Sequence, residues 1–322
     1  MNYISYADLS EDIRRNLYKL HDKDIDLVVG IPRSGMIPAY MIALYLNINC
    51  IDFAAFCKNE KPINGHTRKT GKALTSAWDA RKILLVDDSI MSGNSMQSAI
   101  RQIPAETIDK TIRMVIYSTS KAPKEVDLYF KYVAWPRVFE WNIYHHNILS
   151  RACVSIDGVL CMNPTKDQSN NDVKYRDYLI NAQPLIAPSC KIHSVITSRL
   201  EEHRKQTEAW LTRHNIEYEH LIMLNLPKQQ DHQQLSHHTR HKAEYYNASK
   251  LDFFLEGSRE QAISIANATG KPVFSVEGNK IYQTGALEAL YNNPSPHVLR
   301  NIAKRLKQSI PTPLKKQLQR LH

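Results

Sequence analysis

The stretch Leu84-Leu85-Val86-Asp87-Asp88-Ser89-Ile90-Met91-Ser92-Gly93-Asn94-Ser95 constrains the fold of this chain more than any other. An apolar strand runs into two adjacent carboxylates and then into a small, hydroxyl-rich turn that opens a helix at Met96-Gln97-Ser98-Ala99-Ile100. In an α/β sheet, ligands sit beyond such strand ends, where backbone N–H groups of the turn and the helix N-terminus cradle a phosphate. Two acids beside that cradle suit a sugar phosphate. The carboxylates accept hydrogen bonds from vicinal ribose hydroxyls, and the hydroxyls of Ser92 and Ser95 add donors for a 5-phosphate.

The surrounding pattern is consistent with this architecture. Apolar runs at residues 27–31, 50–54, 83–86, 112–117 and 129–134 predict strands, with helical periodicity between the first several, so a mainly parallel sheet with covered faces is expected. A length of 322 residues suits two domains of ordinary size. The apolar region 36–56 is interrupted by Asn47, Asn49 and Asp52 and reads as a helix followed by a strand, not as a membrane span. Five cysteines without a Cys-x-x-Cys pair argue against a disulfide framework and a zinc site, and no targeting signal opens the chain, so a reduced, cytoplasmic protein is expected. A net charge of +10 favours an anionic partner such as a phosphate, a nucleic acid or an acidic membrane surface.

The 84–95 segment resembles the PRPP-binding motif of type I phosphoribosyltransferases. The resemblance implies that Asp87 and Asp88 are catalytic, holding the ribose and meeting PRPP-bound Mg²⁺, and that Ser89, Met91, Ser92, Gly93, Asn94 and Ser95 surround the 5-phosphate. Val28-Val29-Gly30-Ile31-Pro32-Arg33-Ser34-Gly35-Met36 looks like the family's pyrophosphate loop, with Gly30, Pro32, Arg33, Ser34 and Gly35 as the binding positions. Residues 58–77, which carry Lys58, Lys61, Arg68, Lys69 and Lys72, fit the hood that closes over PRPP and excludes water, with Lys58 and Arg68 as catalytic candidates. One departure narrows the acceptor. Purine-salvage relatives carry an acid three positions after the acidic pair, as base toward a purine ring nitrogen; here that position is Met91, and a thioether cannot accept the proton.

A second unit follows. Ala152-Cys153-Val154-Ser155-Ile156-Asp157-Gly158 looks like the first motif of haloacid dehalogenase-type phosphatases, and Thr197, Lys242 and Glu256 follow in that family's order. Position 155 is Ser where the family has its nucleophilic Asp, so a scaffold or product-binding role without phosphatase activity is expected. The expected class is therefore α/β with two doubly wound Rossmann-like domains: a phosphoribosyltransferase fold over 1–148, a haloacid dehalogenase-like fold over 149–290, and a basic tail over 291–322. The combination resembles two-domain proteins encoded with bacterial surface-polysaccharide genes. It implies Mg²⁺-dependent transfer of 5-phosphoribosyl from PRPP to a glycan or lipid-linked oligosaccharide acceptor, giving a β-ribofuranoside 5-phosphate for a separate phosphatase, with no nucleic-acid partner. The alternatives are an orotate or pyrimidine-type nucleobase phosphoribosyltransferase and a PRPP-binding regulator. Oligomeric state is not legible.

Three further segments carry expectations. The aromatic stretch 135–141 ends the first domain and is expected to pack as a hinge between halves. The histidines at 232, 237, 238 and 241 read as a solvated segment leading a helix, since no carboxylate or cysteine completes a metal set. Residues 295–322 hold seven Lys or Arg and no acid, with Val298, Leu299, Ile302, Leu306 and Ile310 at helical spacing. That segment suits either packing on the second domain or peripheral docking on the anionic inner membrane face.

Overall fold

The computed structural model describes residues 1–62, 70, 73–225 and 235–283; for residues 235–238 only the backbone is described. The chain divides into two compact units, Met1–His146 and Asn147–His322. Arg68, Lys69, Lys72, His232 and the whole 295–322 tail lie outside the described residues, as do residues 63–69 and 71–72 of the hood and the tail's proposed membrane face. Among the described residues, no helix is long and apolar enough to cross a membrane.

The first unit runs β1 (Asn2–Ile4), α1 (Tyr6–Asn16), β2 (Leu27–Gly30), α2 (Met36–Leu46), β3 (Asn49–Asp52), α3 (Phe53–Cys57) and β4 (Ile83–Ile90). It continues through α4 (Asn94–Gln102), α5 (Ala105–Ile108), β5 (Thr111–Ser118), β6 (Leu128–Tyr132) and β7 (Arg137–Phe139). Five strands form one parallel sheet in the order β3-β2-β4-β5-β6. The order turns back on itself at β2 and β4, which places the ligand crevice of such a sheet at their carboxyl ends.

The continuous apolar runs follow from burial on both faces. Val28, Leu84, Val86 and Met114 point into one core with Leu9, Ile13, Ala39 and Ile42 of α1 and α2. Leu27, Val29, Leu85 and Val115 point into the other with Phe56, Met96 and Ala99 of α3 and α4. Local chemistry sets the element ends. Ser5 and Asp8 form a reciprocal capping box that starts α1. The Asp52 carboxylate accepts from the N–H groups of Ala54 and Ala55 at 2.9 and 3.0 Å, so the chain turns helical at Phe53 instead of continuing the expected strand to residue 54.

Two other expectations are corrected. β4 does not stop at Val86: its ladder with β5 continues through Asp87↔Val115, Ser89↔Tyr117 and Ile90↔Ser118, so both acids are strand residues. The 135–141 stretch is no hinge. β7 pairs with β1 in a separate two-stranded parallel sheet, and Phe139 and Trp141 pack on the core of the first unit.

The second unit runs β8 (Ala152–Ser155), α6 (Lys166–Ser169), α7 (Asp172–Asn181), β9 (Ile192–Leu200), α8 (Arg204–Arg213) and β10 (Tyr218–Leu224). After α9 (Leu235–Ala248) come β11 (Phe253–Glu256), α10 (Arg259–Thr269), β12 (Val273–Ser275) and β13 (Lys280–Tyr282). The sheet order is β10-β9-β8-β11-β12-β13, parallel except for the terminal β12–β13 hairpin.

Candidate functional site

Asp87 and Asp88 lie at the carboxyl end of the central strand β4, 7% and 6% exposed. Asp87 accepts from the Asp88 backbone N–H at 2.9 Å and from Ser95 Oγ at 3.1 Å, which ties the acid to the first turn of α4. Burial, and then the neighbouring Asp88 charge, push the Asp87 carboxyl up to about 7, against the opposing pull of those two donors. A carboxyl held there ionises readily when a cation or a hydroxyl-rich ligand arrives. Asp88 accepts from the indole Nε1–H of Trp141 at 2.6 Å. The Trp141 ring stacks on Phe139 with centroids 4.8 Å apart and meets Tyr6 at 5.5 Å.

The expected phosphate loop follows directly. Gly93 takes φ +78, a left-handed conformation that lets the chain reverse into α4. A Cβ there would also fall 2.6 Å from Glu125 Cγ. Asp87, Ser89, Met91, Ser92, Gly93, Asn94 and Ser95 line one cavity of about 190 Å³, joined by Ile90, Met96, Val115 and Arg137. Met91 is 65% exposed. It offers no proton acceptor to that cavity.

The expected pyrophosphate loop sits against the acids through backbone. Ile31 N–H donates to Val86 O at 2.9 Å. Gly35 leaves no room for a side chain, since a Cβ would meet Ile31 O at 2.6 Å, Val86 O at 2.7 Å and Asp87 Cα at 2.9 Å. Gly30 closes the end of β2 beside Val86, and Pro32, Arg33 and Ser34 form the turn before α2, with Pro32 and Arg33 exposed. Lys58 is exposed at the end of α3 and does not line the cavity. The structure thus brings together the acidic pair, the 92–95 loop and the glycine-bounded turn.

Two residues of this site escape local sequence reading, Trp141 and Arg137. Their only signal is chemical incongruity, a cation just before and an indole N–H just after the short apolar run Val138-Phe139. Arg137 is 5% exposed and donates from Nη2 to Ile90 O at 2.8 Å.

The pieces expected in the second unit also meet, but they neutralise one another. The Ser155 hydroxyl donates to Glu256 Oε2 at 2.8 Å, and Lys242 Nζ donates to the same oxygen at 2.8 Å and to Gln261 Oε1 at 3.0 Å. Thr197 lies within β9, not at its end, and its Oγ1 accepts from the Arg199 N–H at 3.1 Å. Asp157 is held by the fully buried Arg199 at 2.6 Å and by the Tyr178 hydroxyl at 2.6 Å. Burial alone would raise the Asp157 carboxyl; the Arg199 guanidinium and these hydrogen bonds outweigh it and hold the group below its ordinary value. Asp157 is therefore a locked anion, with its lone pairs committed to structure. The described metal-donor cluster lies elsewhere: His193, Glu219 and His220 at the β9–β10 edge, donor atoms within 4.8 Å of one another.

Residues 5–144 match the family described as Phosphoribosyl transferase domain. The N-terminal unit is a phosphoribosyltransferase-family domain. Among curated relatives, the xanthine-guanine phosphoribosyltransferase of Chromohalobacter salexigens is 27% identical over 145 residues, covering 44% of this chain and 83% of that protein. The orotate phosphoribosyltransferase of Staphylothermus marinus is 32% identical over 106 residues, covering 31% of this chain and 45% of that protein. Among solved structures, Helicobacter pylori xanthine-guanine-hypoxanthine phosphoribosyltransferase aligns with 44% of this chain and 93% of its own, at 15% identity and a TM-score of 0.34.

These findings correct the expected acceptor. The curated relatives are nucleobase phosphoribosyltransferases, of the xanthine-guanine and orotate kinds, so the expectation of transfer to a glycan in polysaccharide synthesis is overturned, and the ribofuranoside product and separate phosphatase go with it. The family match ends at residue 144, and the haloacid dehalogenase resemblance of the second unit finds no support in these relatives.

Proposed function

We propose that the N-terminal unit transfers the 5-phosphoribosyl group of PRPP to a ring nitrogen of a nucleobase of the orotate or pyrimidine kind, releasing pyrophosphate. The observation that carries this reading is the junction of buried Asp87, with Asp88 next to it in β4, and the 92–95 loop in one cavity that Asp87 lines, tied by Ser95 to Asp87. In a family domain whose curated relatives act on nucleobases, that junction suits the ribose and 5-phosphate of the donor. The orotate phosphoribosyltransferases of Sulfurisphaera tokodaii and Staphylothermus marinus, at 30% and 32% identity, support the acceptor class. Met91 favours a pyrimidine, because a purine ring nitrogen would need a carboxylate at that position to take its proton.

Each proposed group has a physical task. Asp87 and Asp88 hold the ribose hydroxyls, the 92–95 amides and hydroxyls hold the 5-phosphate, and the backbone between Gly30 and Gly35 holds the leaving diphosphate with Arg33 beside it. Adjacent carboxylate oxygens in a buried, electronegative pocket fit a hard, oxygen-seeking cation. Mg²⁺, when bound there with PRPP, would neutralise charge that develops on the diphosphate.

The test is pyrophosphate release and nucleotide formation by the full chain with PRPP, Mg²⁺ and, separately, orotate, uracil, xanthine, guanine and hypoxanthine. Nucleotide is expected with a pyrimidine, and Asp87→Asn with Asp88→Asn should lower the rate more than a hundredfold, equivalent to roughly 3 kcal/mol of transition-state stabilisation. Base-independent pyrophosphate release, or none with any base, would overturn the reading.

A further inference from the structure

Arg137 is a buried cation with half of its fork unspent. It opens β7 at 5% exposure, and its Nη2 is committed to Ile90 O at 2.8 Å. The guanidinium carbon lies 5.1 Å from the centre of the Phe139 ring, so one face is covered by an aromatic side chain. Nη1 is buried without any hydrogen-bond partner. No described carboxylate forms an ion pair with Arg137; the Asp88 charge acts on it favourably without a direct bond, and that carboxylate is engaged by Trp141.

Burying a guanidinium without a counter-ion is unfavourable, and leaving one of its donors dry adds to the cost. Such a group persists where an anion completes it. Arg137 lines the same cavity as Ser92, Gly93, Asn94 and Ser95 and the start of α4. That cavity already gathers backbone N–H groups and hydroxyls, the donors that suit a phosphate. The loop itself contains no cation among residues 89–96.

We propose that Arg137 is a binding residue for the phosphomonoester of the bound phosphoribosyl group, its free Nη1 donating to a phosphate oxygen alongside the 92–95 loop. The charge missing from the loop is supplied from β7, some 40 residues further along the chain. The assignment rests on the PRPP reading of this cavity and adds to it the source of the phosphate's counter-charge. A guanidinium suits the task because its planar fork can hold Ile90 O and a phosphate oxygen at once.

The experiment is titration calorimetry of the full-length protein with ribose 5-phosphate and, separately, with pyrophosphate, for the unmodified chain, Arg137→Gln and Arg137→Lys. Gln keeps an N–H for Ile90 O but carries no charge. Lys keeps the charge but not the fork. The expected result is a loss of at least tenfold in ribose 5-phosphate affinity for Arg137→Gln, a smaller loss for Arg137→Lys, and unchanged pyrophosphate affinity for both. In the ligand-free state the Arg137→Gln unfolding midpoint should be equal or higher, since an unpaired buried charge has gone; a merely structural arginine would lower it. Equal ribose 5-phosphate affinity in all three proteins overturns the proposal, as does a defect confined to the KM of the acceptor base. An unmodified chain that binds neither ribose 5-phosphate nor PRPP overturns the PRPP reading itself.

Discussion

Replacing Trp141 by Phe removes one hydrogen bond from the proposed ribose-binding acid while keeping an aromatic ring in place. The indole Nε1–H lies 2.6 Å from Asp88 Oδ2, and Asp88 is only 6% exposed, so solvent has little access to replace the lost donor. A hydrogen bond to a charged group contributes about 1.5–3 kcal/mol. The stacking on Phe139 at 4.8 Å and 14° and the contact with Tyr6 at 5.5 Å involve the ring, and most of that packing survives in Phe. If the whole bond acts on ligand affinity, Trp141→Phe weakens Mg²⁺-PRPP binding by roughly ten- to a hundredfold. The pH dependence supplies a second readout. Asp87 is pushed up to about 7, first by burial and then by Asp88, so affinity for a cation-bearing ligand should rise as pH increases through about 7 and Asp87 ionises. Trp141 donates to Asp88 and not to Asp87, so the variant should keep that rise near pH 7 while losing affinity throughout. Calorimetry with Mg²⁺-PRPP between pH 6 and 9 measures both effects. A folded Trp141→Phe protein with affinity within twofold of the unmodified chain across that range would refute the positioning role of the indole.

Gly93→Ala should cost about 1–2 kcal/mol, because an L side chain is strained at φ +78 and the new Cβ would press on Glu125; a midpoint drop of several degrees with weakened ribose 5-phosphate binding is expected, and an unchanged midpoint would contradict the backbone reading. In the second unit, Asp157→Asn leaves the fully buried Arg199 without its counter-charge and should cost about 3 kcal/mol at neutral pH, seen as an earlier unfolding transition. The sign with pH follows from the lowered Asp157 group. Its stabilising contribution is complete above the ordinary value of 3.8 and is lost as pH falls below it through the depressed native value, so the acid-side loss should be shallower in Asp157→Asn. Parallel pH profiles for the two proteins would remove Asp157 from the account of acid sensitivity.

The acidic strand end and the two glycine turns of the candidate site are legible in the sequence because they are local. A parallel strand buried on both faces reads as an unbroken apolar run, and Leu84, Leu85 and Val86 alternate between two cores as that run implies. The turn at Gly93 and the turn ending at Gly35 each declare themselves within a few residues, since each backbone course excludes a side chain at one position. Errors arose where a polar residue did something other than end an element. Asp87, Asp88 and Ser89 continue β4 because their backbone pairs with β5, and Asp52 begins a helix by capping it. The capping signal was present in the residue type; the ladder was not, because pairing depends on a partner 28 residues away, as in Asp87↔Val115.

The remaining wall of the site was not legible, and the reason is topological. Trp141 reaches Asp88 across 53 residues and Arg137 reaches Ile90 across 47. Both are placed by β7, whose register with β1 at Arg137↔Asn2 and Phe139↔Ile4 joins the two ends of the first unit. No periodicity or spacing encodes such a meeting, so an aromatic stretch after the last sheet strand looks like a connector. The returning chain nevertheless carries an indole for the acidic pair and a guanidinium for the 92–95 cavity, both drawn from one short strand and the turn that follows it. On the proposed reading, a substitution that loosens β1 from β7 would therefore disturb sugar and phosphate binding together while leaving the five-stranded sheet and its two cores in place.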